Sequence, residues 1–175
     1  MLKTLSDKTK EFYLYNNILL LSRNTFFYTK FNLLDSFQNR IYLIFFHISF
    51  IFLKIKQSND NKKYKIFYQK MFDLVFKRID TNMREIGFGD MTVSKNMKFL
   101  IKNFYDILLK SEKYKKMTFD HKSKFFNNYL KGNNNENITN TTEIIDYFNK
   151  YEAFCFDLSS DSVLQGELNF NYKVD

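Results

Sequence analysis

The side chains best placed to do chemistry lie in one stretch, residues 80–98, which reads DTNMREIGFGDMTVSKNMK. It sets Asp80, Arg84, Glu85 and Asp90 beside Lys95 and Lys98, with Lys102 one helical turn further on. Mixed carboxylates and cations at this spacing can hold a charged partner by ion pairs. Acid–base catalysis near neutral pH draws above all on histidine. The chain has two histidines and one cysteine. His47, His121 and Cys155 lack the close spacing of metal ligands. A phosphate-binding loop, a dinucleotide fingerprint, HExxH and GxSxG are all absent from the sequence. The sequence therefore predicts no catalytic residue, no metal and no cofactor. It predicts a partner-binding role for Asp80, Arg84, Glu85, Asp90, Lys95, Lys98 and Lys102.

These residues need a corner to hold them. Gly87, Phe88 and Gly89 supply one in a chain with four glycines and no proline. Gly87 is expected to take the left-handed conformation that ends a helix, with Phe88 packing back on Met83. Gly89 is expected to keep the turn tight, and Asp90 or Thr92 to cap the next helix. The helix before the corner is predicted over about residues 65–86, with a core stripe of Tyr68, Phe72, Val75, Ile79, Met83 and Ile86. Asp80 and Arg84 are an i,i+4 pair in the favourable order, which by itself would only steady the helix. The helix after it is predicted over about residues 92–114, with Val93, Met97, Leu100, Ile101, Phe104 and Leu108 turned inward. Lys95, Lys98 and Lys102 share its other face and form a basic strip with Arg84, either solvated or docking.

The remaining chain reads as more helices around one core. A helix is expected from about residue 7, started by Ser6, to residue 22, then a connection whose Phe26, Phe27, Phe31 and Leu33 pack down. Residues 41–53 are apolar except for His47 and Ser49. Thirteen residues span roughly 20 Å against about 30 Å of hydrocarbon, so they predict a central buried helix, with His47 bonded inside the core. Residues 57–63 read as a polar turn, and a further helix is expected over about 119–131, ended by Gly132. The predicted architecture is all-α, a single-domain bundle of about five to six helices with a short C-terminal extension. Its parts are a helical core over residues 1–131, a flexible Asn-rich loop over 132–142, and a C-terminal helix with an extended tail over 143–175. Cys155, within FCF, is expected to be a buried inert thiol, and the first residues match neither a secretory signal nor an Arg-rich transit peptide. The 22 Phe, 12 Tyr and absent Trp fit AT-rich codon usage, and the +8 net charge favours anionic partners.

The corner also carries a family likeness. Asp80, Arg84-Glu85-x-Gly87-x-Gly89-Asp90, Val93-x-Lys95 and Phe104-Tyr105 resemble the central signature of the ubiquinol–cytochrome c chaperones. An earlier block is similar through Tyr15, Arg23, Phe27-Tyr28, Asp35, Arg40 and His47. The resemblance implies a non-enzymatic chaperone for cytochrome b during assembly of the bc1 complex. Implied with it are a ribosome or membrane surface and a small partner protein as further contacts, and no specific DNA. The implied location is cytoplasmic and peripheral at the inner membrane of an AT-rich bacterium, or the mitochondrial matrix of a eukaryote. The alternative is a basic helical nucleic-acid-binding or scaffolding protein.

Overall fold

A computed structural model describes residues 9–173. Its helices are α1 (Lys10–Ser22), α2 (Phe26–Thr29), α3 (Phe37–Lys56), α4 (Asn61–Ile86), α5 (Asp90–Ser111), α6 (Phe119–Asn127), α7 (Thr141–Asp157) and α8 (Ser160–Leu164). The chain is all-α as predicted. Six helices are long, and α2 and α8 are single short turns that the sequence reading placed inside a connection and a turn.

The centre is α3. Ser36 caps it by accepting from the Asn39 N–H, and every side chain from Ile41 to Leu53 is buried. A helix apolar on all sides has no face to offer water, so neighbours must enclose it. Its aromatics meet a different neighbour on each side. Phe45 packs against Phe76 of α4 and Phe104 of α5, Phe46 against Phe126 of α6 and Phe148 of α7, and Phe52 against Phe67 of α4. The tail folds over the outside of α7, where Phe170 lies 5.2 Å from Tyr151 and 5.2 Å from Phe154. Among the described residues no helix is long and apolar enough to cross a membrane.

His47 sits fully buried in this core. Its Nδ1 lies 2.6 Å from the Leu43 carbonyl and its Nε2 2.7 Å from the Tyr147 hydroxyl. A carbonyl only accepts, so Nδ1 carries the proton and Nε2 accepts from Tyr147. The imidazole is thus satisfied while neutral, as a core histidine must be. Cys155 is free and buried, and burial pushes its thiol well above the ordinary range.

Several boundaries differ from expectation for local reasons. Helix α4 starts at Asn61 rather than near 65, because Asp60 caps it by accepting from the Lys63 N–H. Its buried stripe is Phe67, Met71, Val75, Phe76, Ile79 and Met83. Tyr68 and Phe72 are only half-buried, and Ile86 is 57% exposed. The predicted stripe followed valid spacing but was rotated, since α3 and α5 share the α4 surface and draw on both flanks of it. Helix α1 begins at Lys10 with Thr9 as its cap; Ser6 lies outside the described residues. Helix α6 stops at Asn127, and Gly132 does other work. It pairs with Leu33 in an antiparallel bridge, and a Cβ there would stand 2.8 Å from the Asn137 carbonyl oxygen.

Hydrogen bonds join the Asn-rich loop and its flanks to the rest of the fold, with the Asn140 amide donating to the Lys30 carbonyl at 2.6 Å. Buried Asn39 donates to the Leu34 and Lys131 carbonyls at 2.8 and 2.7 Å, and its own oxygen accepts from the Lys131 N–H. Asn127 accepts from the Ile138 N–H at 2.8 Å. Asn32, Asn134 and Asn135 all adopt positive φ, a conformation asparagine tolerates better than most residues.

His47 makes stability depend on pH. Desolvation pushes its pKa from 6.5 down to about 4, although the bond to Leu43 works the other way. The unfolded chain takes up a proton on this residue at higher pH than the folded chain does. The contribution is therefore complete above 6.5 and is lost as pH falls toward 4, by up to about 3 kcal/mol. Half-buried Glu152, whose carboxyl burial raises, acts in the opposite sense near 4.5. Denaturant titrations of the wild type and of His47→Leu between these pH values should show the wild-type advantage shrinking with acid. A constant difference would mean that His47 titrates alike in both states.

Candidate functional site

The corner between α4 and α5 is a Schellman turn. Gly87 takes φ +103°, its N–H donates to the Arg84 carbonyl at 2.9 Å, and the Phe88 N–H donates to the Met83 carbonyl at 3.1 Å. These two bonds satisfy carbonyls that the end of α4 would leave bare. Met83 is buried and Phe88 stays largely exposed. Gly89 is the extended residue before α5, and no side chain caps that helix. The expected Asp90 or Thr92 cap is replaced by a different use of Asp90.

Arg84 ties the corner together. Its Nε donates to Asp80 Oδ1 at 2.8 Å along α4, and its Nη1 donates to Asp90 at the first turn of α5. The two carboxylates raise the guanidinium pKa, Asp80 foremost. Exposed ion pairs of this kind are individually weak, but one fork bridging two helices fixes their relative direction. Arg84 is therefore not part of a free basic strip. Its charge is taken by Asp80 and Asp90, while Glu85 next to it forms no ion pair among the described residues.

Beside the corner lies a cleft of about 290 Å³ where the ends of α1 and α4 meet the start of α3. Leu19, Ile41, Ile44 and Ile79 give it an apolar lining, and Arg23, Arg40, Asn82 and Glu85 are among its polar members. Arg40 is held by Asp35 through two bonds of 2.7 and 2.9 Å and lies over the Tyr28 ring. That contact leaves Arg23 and Glu85 as the cleft's uncommitted charges. Tyr15 also lines it, and burial raises the Tyr15 pKa against the opposing charges of Arg78 and Arg23. Two blocks far apart in sequence, one with Tyr15, Arg23 and Arg40 and the other with Glu85, thus share one surface.

The three lysines stand elsewhere, exposed on the outer face of α5 and, among the described residues, without an ion pair. Lys102 helps at longer range to hold the Asp106 carboxyl down. Burial there works upward but is outweighed by hydrogen bonds from Lys110 and Tyr129. The same helix offers little to a base edge: Asn96 is half-buried, and Asn103 donates to the Tyr42 hydroxyl at 2.7 Å. Among the described residues no group of His, Cys, Asp and Glu could hold a metal ion.

The sequence reading did not number Arg23, Arg40 or Asn82 among the site residues. Arg23 and Arg40 were visible in the earlier block; Asn82 gave no signal beyond its place one turn before the corner.

With this geometry the comparisons become specific. The sequence profile of the ubiquinol–cytochrome C chaperone family matches residues 29–170. The chain belongs to that family. The crystal structure of the Cbp3 homolog from Brucella abortus has the same fold, with a TM-score of 0.79 at 20% identity over 93% of this chain and 89% of that one. No curated protein matches the sequence.

Gly87 and Gly89 now separate. A Cβ at either meets nothing within 4 Å, but only Gly87 has positive φ. Gly87→Val should cost about 1–3 kcal/mol through backbone strain alone. Gly89→Ala should stay within about 0.5 kcal/mol of wild type. Thermal melting of the two variants checks this, and equal midpoints would place the strain elsewhere.

Proposed function

We propose that the protein is an assembly chaperone of the ubiquinol–cytochrome c reductase (bc1) complex, with newly made cytochrome b as its client. Family membership supports the chaperone role, and the observation that carries the reading to a site is the shared cleft. Its apolar lining suits a bulky side chain of an unassembled membrane protein, whose apolar segments lack their partners. Arg23 and Glu85 stand at its edge as a cation and an anion not used by the fold. They can select a client segment by complementary charge, which contributes more to specificity and association rate than to affinity.

In this reading the candidate residues divide their work. Asp80, Arg84 and Asp90 brace the corner where α4 passes into α5, and α4 itself carries Glu85 into the cleft. Gly87, Phe88 and Gly89 make that angle possible. Lys95, Lys98 and Lys102 face away from the cleft and serve a second, anionic contact. The ribosome, a membrane surface and a small partner protein belong to the same proposal as further contacts.

Deleting the gene should lower assembled bc1 complex while other respiratory enzymes stay near normal, as read by native gels and haem b spectra. Wild-type protein should restore the complex. A folded Arg23→Glu, Glu85→Lys double variant should restore it poorly and should recover less cytochrome b on purification from membranes. Normal bc1 levels in the deletion strain would end the chaperone reading. Full rescue by the double variant would move client contact away from the cleft.

A further inference from the structure

The outer face of α5 has an order that the fold does not explain. Met91, Lys95, Lys98, Lys102, Tyr105 and Leu109 follow in alternating steps of four and three residues, so they form one stripe along the helix. Over eighteen residues it runs about 27 Å. Met91 is 89% exposed and Leu109 62%, and Phe99 flanks the stripe at 53%, whereas the Tyr105 ring, at the edge of the stripe, stacks on Phe72 of α4. Burial alone would turn such side chains inward, and charge alone would not place them around three lysines. The nearby carboxylates are already engaged. Asp90 is held by Arg84, Asp106 by Lys110 and Tyr129, and Glu112 by Lys56. Among the described residues, the three lysines of the stripe therefore stand without an ion pair, with Asp106 drawing on Lys102 only at longer range.

The shape also selects a partner. An amphipathic helix docks into a groove lined by apolar side chains. Here the apolar side chains stand on a ridge, and the depression beside Met91 is lined mainly by Asp90, Ser94, Lys95 and Lys98. A soft anionic surface fits a ridge of this kind. Lysine ammoniums meet the headgroups while Met91 and Leu109 reach the boundary with the acyl chains.

We propose that the α5 ridge seats the protein on an anionic lipid surface. This extends the membrane-side part of the proposed function, but it needs no client and is tested without one.

The test uses the full chain and two kinds of vesicle, phosphatidylcholine alone and an equal mixture with phosphatidylglycerol. The protein should sediment with the mixed vesicles and not with the neutral ones, and added salt should release it. Lys95→Glu, Lys98→Glu and Lys102→Glu together should weaken binding by about tenfold or more. The same reversal at Lys62, Lys63 and Lys65, exposed on α4 with the same change in net charge, should have a much smaller effect. Met91→Ser with Leu109→Ser should weaken binding with every lysine intact. The chain has no tryptophan, so Met91→Trp adds a single reporter whose emission should shift to the blue on the vesicles. Circular dichroism verifies each fold, and Lys→Gln at the three positions replaces the reversal should that variant unfold.

Absence of binding to mixed vesicles would overturn the proposal. So would equal loss from the two sets of lysine reversals, or unshifted emission from bound protein. Failed rescue of bc1 assembly by the ridge variants, with vesicle binding absent in wild type, would make the ridge a protein-docking face instead. The client reading survives each of these results, because it rests on the cleft.

Discussion

Everything in this fold answers to a helix that can face water on no side. The buried run of α3 from Ile41 to Leu53 needs a neighbour in every direction, and α1, α4, α5 and α7 supply them. Aromatic rings do most of the filling. Their size leaves little room for substitution, because edge-to-face packing depends on ring position as well as on volume. The one imidazole in that run, His47, is held neutral, with its tautomer set by Leu43 and its far nitrogen matched by Tyr147. The bond also reaches across to α7, so satisfying one polar residue fixes how two helices pass. An apolar residue at position 47 would fill space but would not specify that register.

A core so completely enclosed leaves function to its edges. The cleft exists because α1, α3 and α4 meet where their ends diverge, and the loss of packing there exposes part of an otherwise continuous apolar wall. The ridge exists because α5 lies at the outside of the bundle and covers α3 with one face only. Both features are by-products of helix packing that particular side chains then put to use. The corner links them: Gly87 ends α4, Asp90 begins α5, and Arg84 holds one to the other.

The sequence showed the elements more clearly than their orientations. Gly87 could be assigned a left-handed turn because few residues tolerate it, and His47 a core role because the apolar run around it was too short to span a bilayer. Periodicity could not decide between Phe72 and Phe76, or between Tyr68 and Met71. Every one of those positions is apolar and lies within one turn of its rival, and only tertiary packing ranks them. The bonds made by the loop after α6 were hidden for a related reason. Asn134 and Asn135 adopt positive φ there, and the Asn140 amide donates to the Lys30 carbonyl, a contact that only folding creates. The cleft could not be read from spacing at all. Arg23 and Glu85 are separated by two intervening long helical segments, and only folding brings them to one surface.

The sharpest lesson concerns Arg84. As one of four cations near the corner it looked like part of a docking strip, and in isolation its i,i+4 pairing with Asp80 looked like routine helix support. The fork does more than the second, since it also reaches Asp90 across the corner. That engaged guanidinium stands between two surfaces that would otherwise merge into one basic region. On one side, among the described residues, Arg23 and Glu85 stand in the cleft without an ion pair around apolar walls, which on the proposed reading suits recognition of a particular segment. On the other the ridge keeps three like charges among exposed apolar tips, which suits an extended surface with no particular sequence. On the proposed reading the cleft takes a client and the ridge a lipid surface, and pairing Arg84 with the carboxylates of the corner helps keep those two contacts independent.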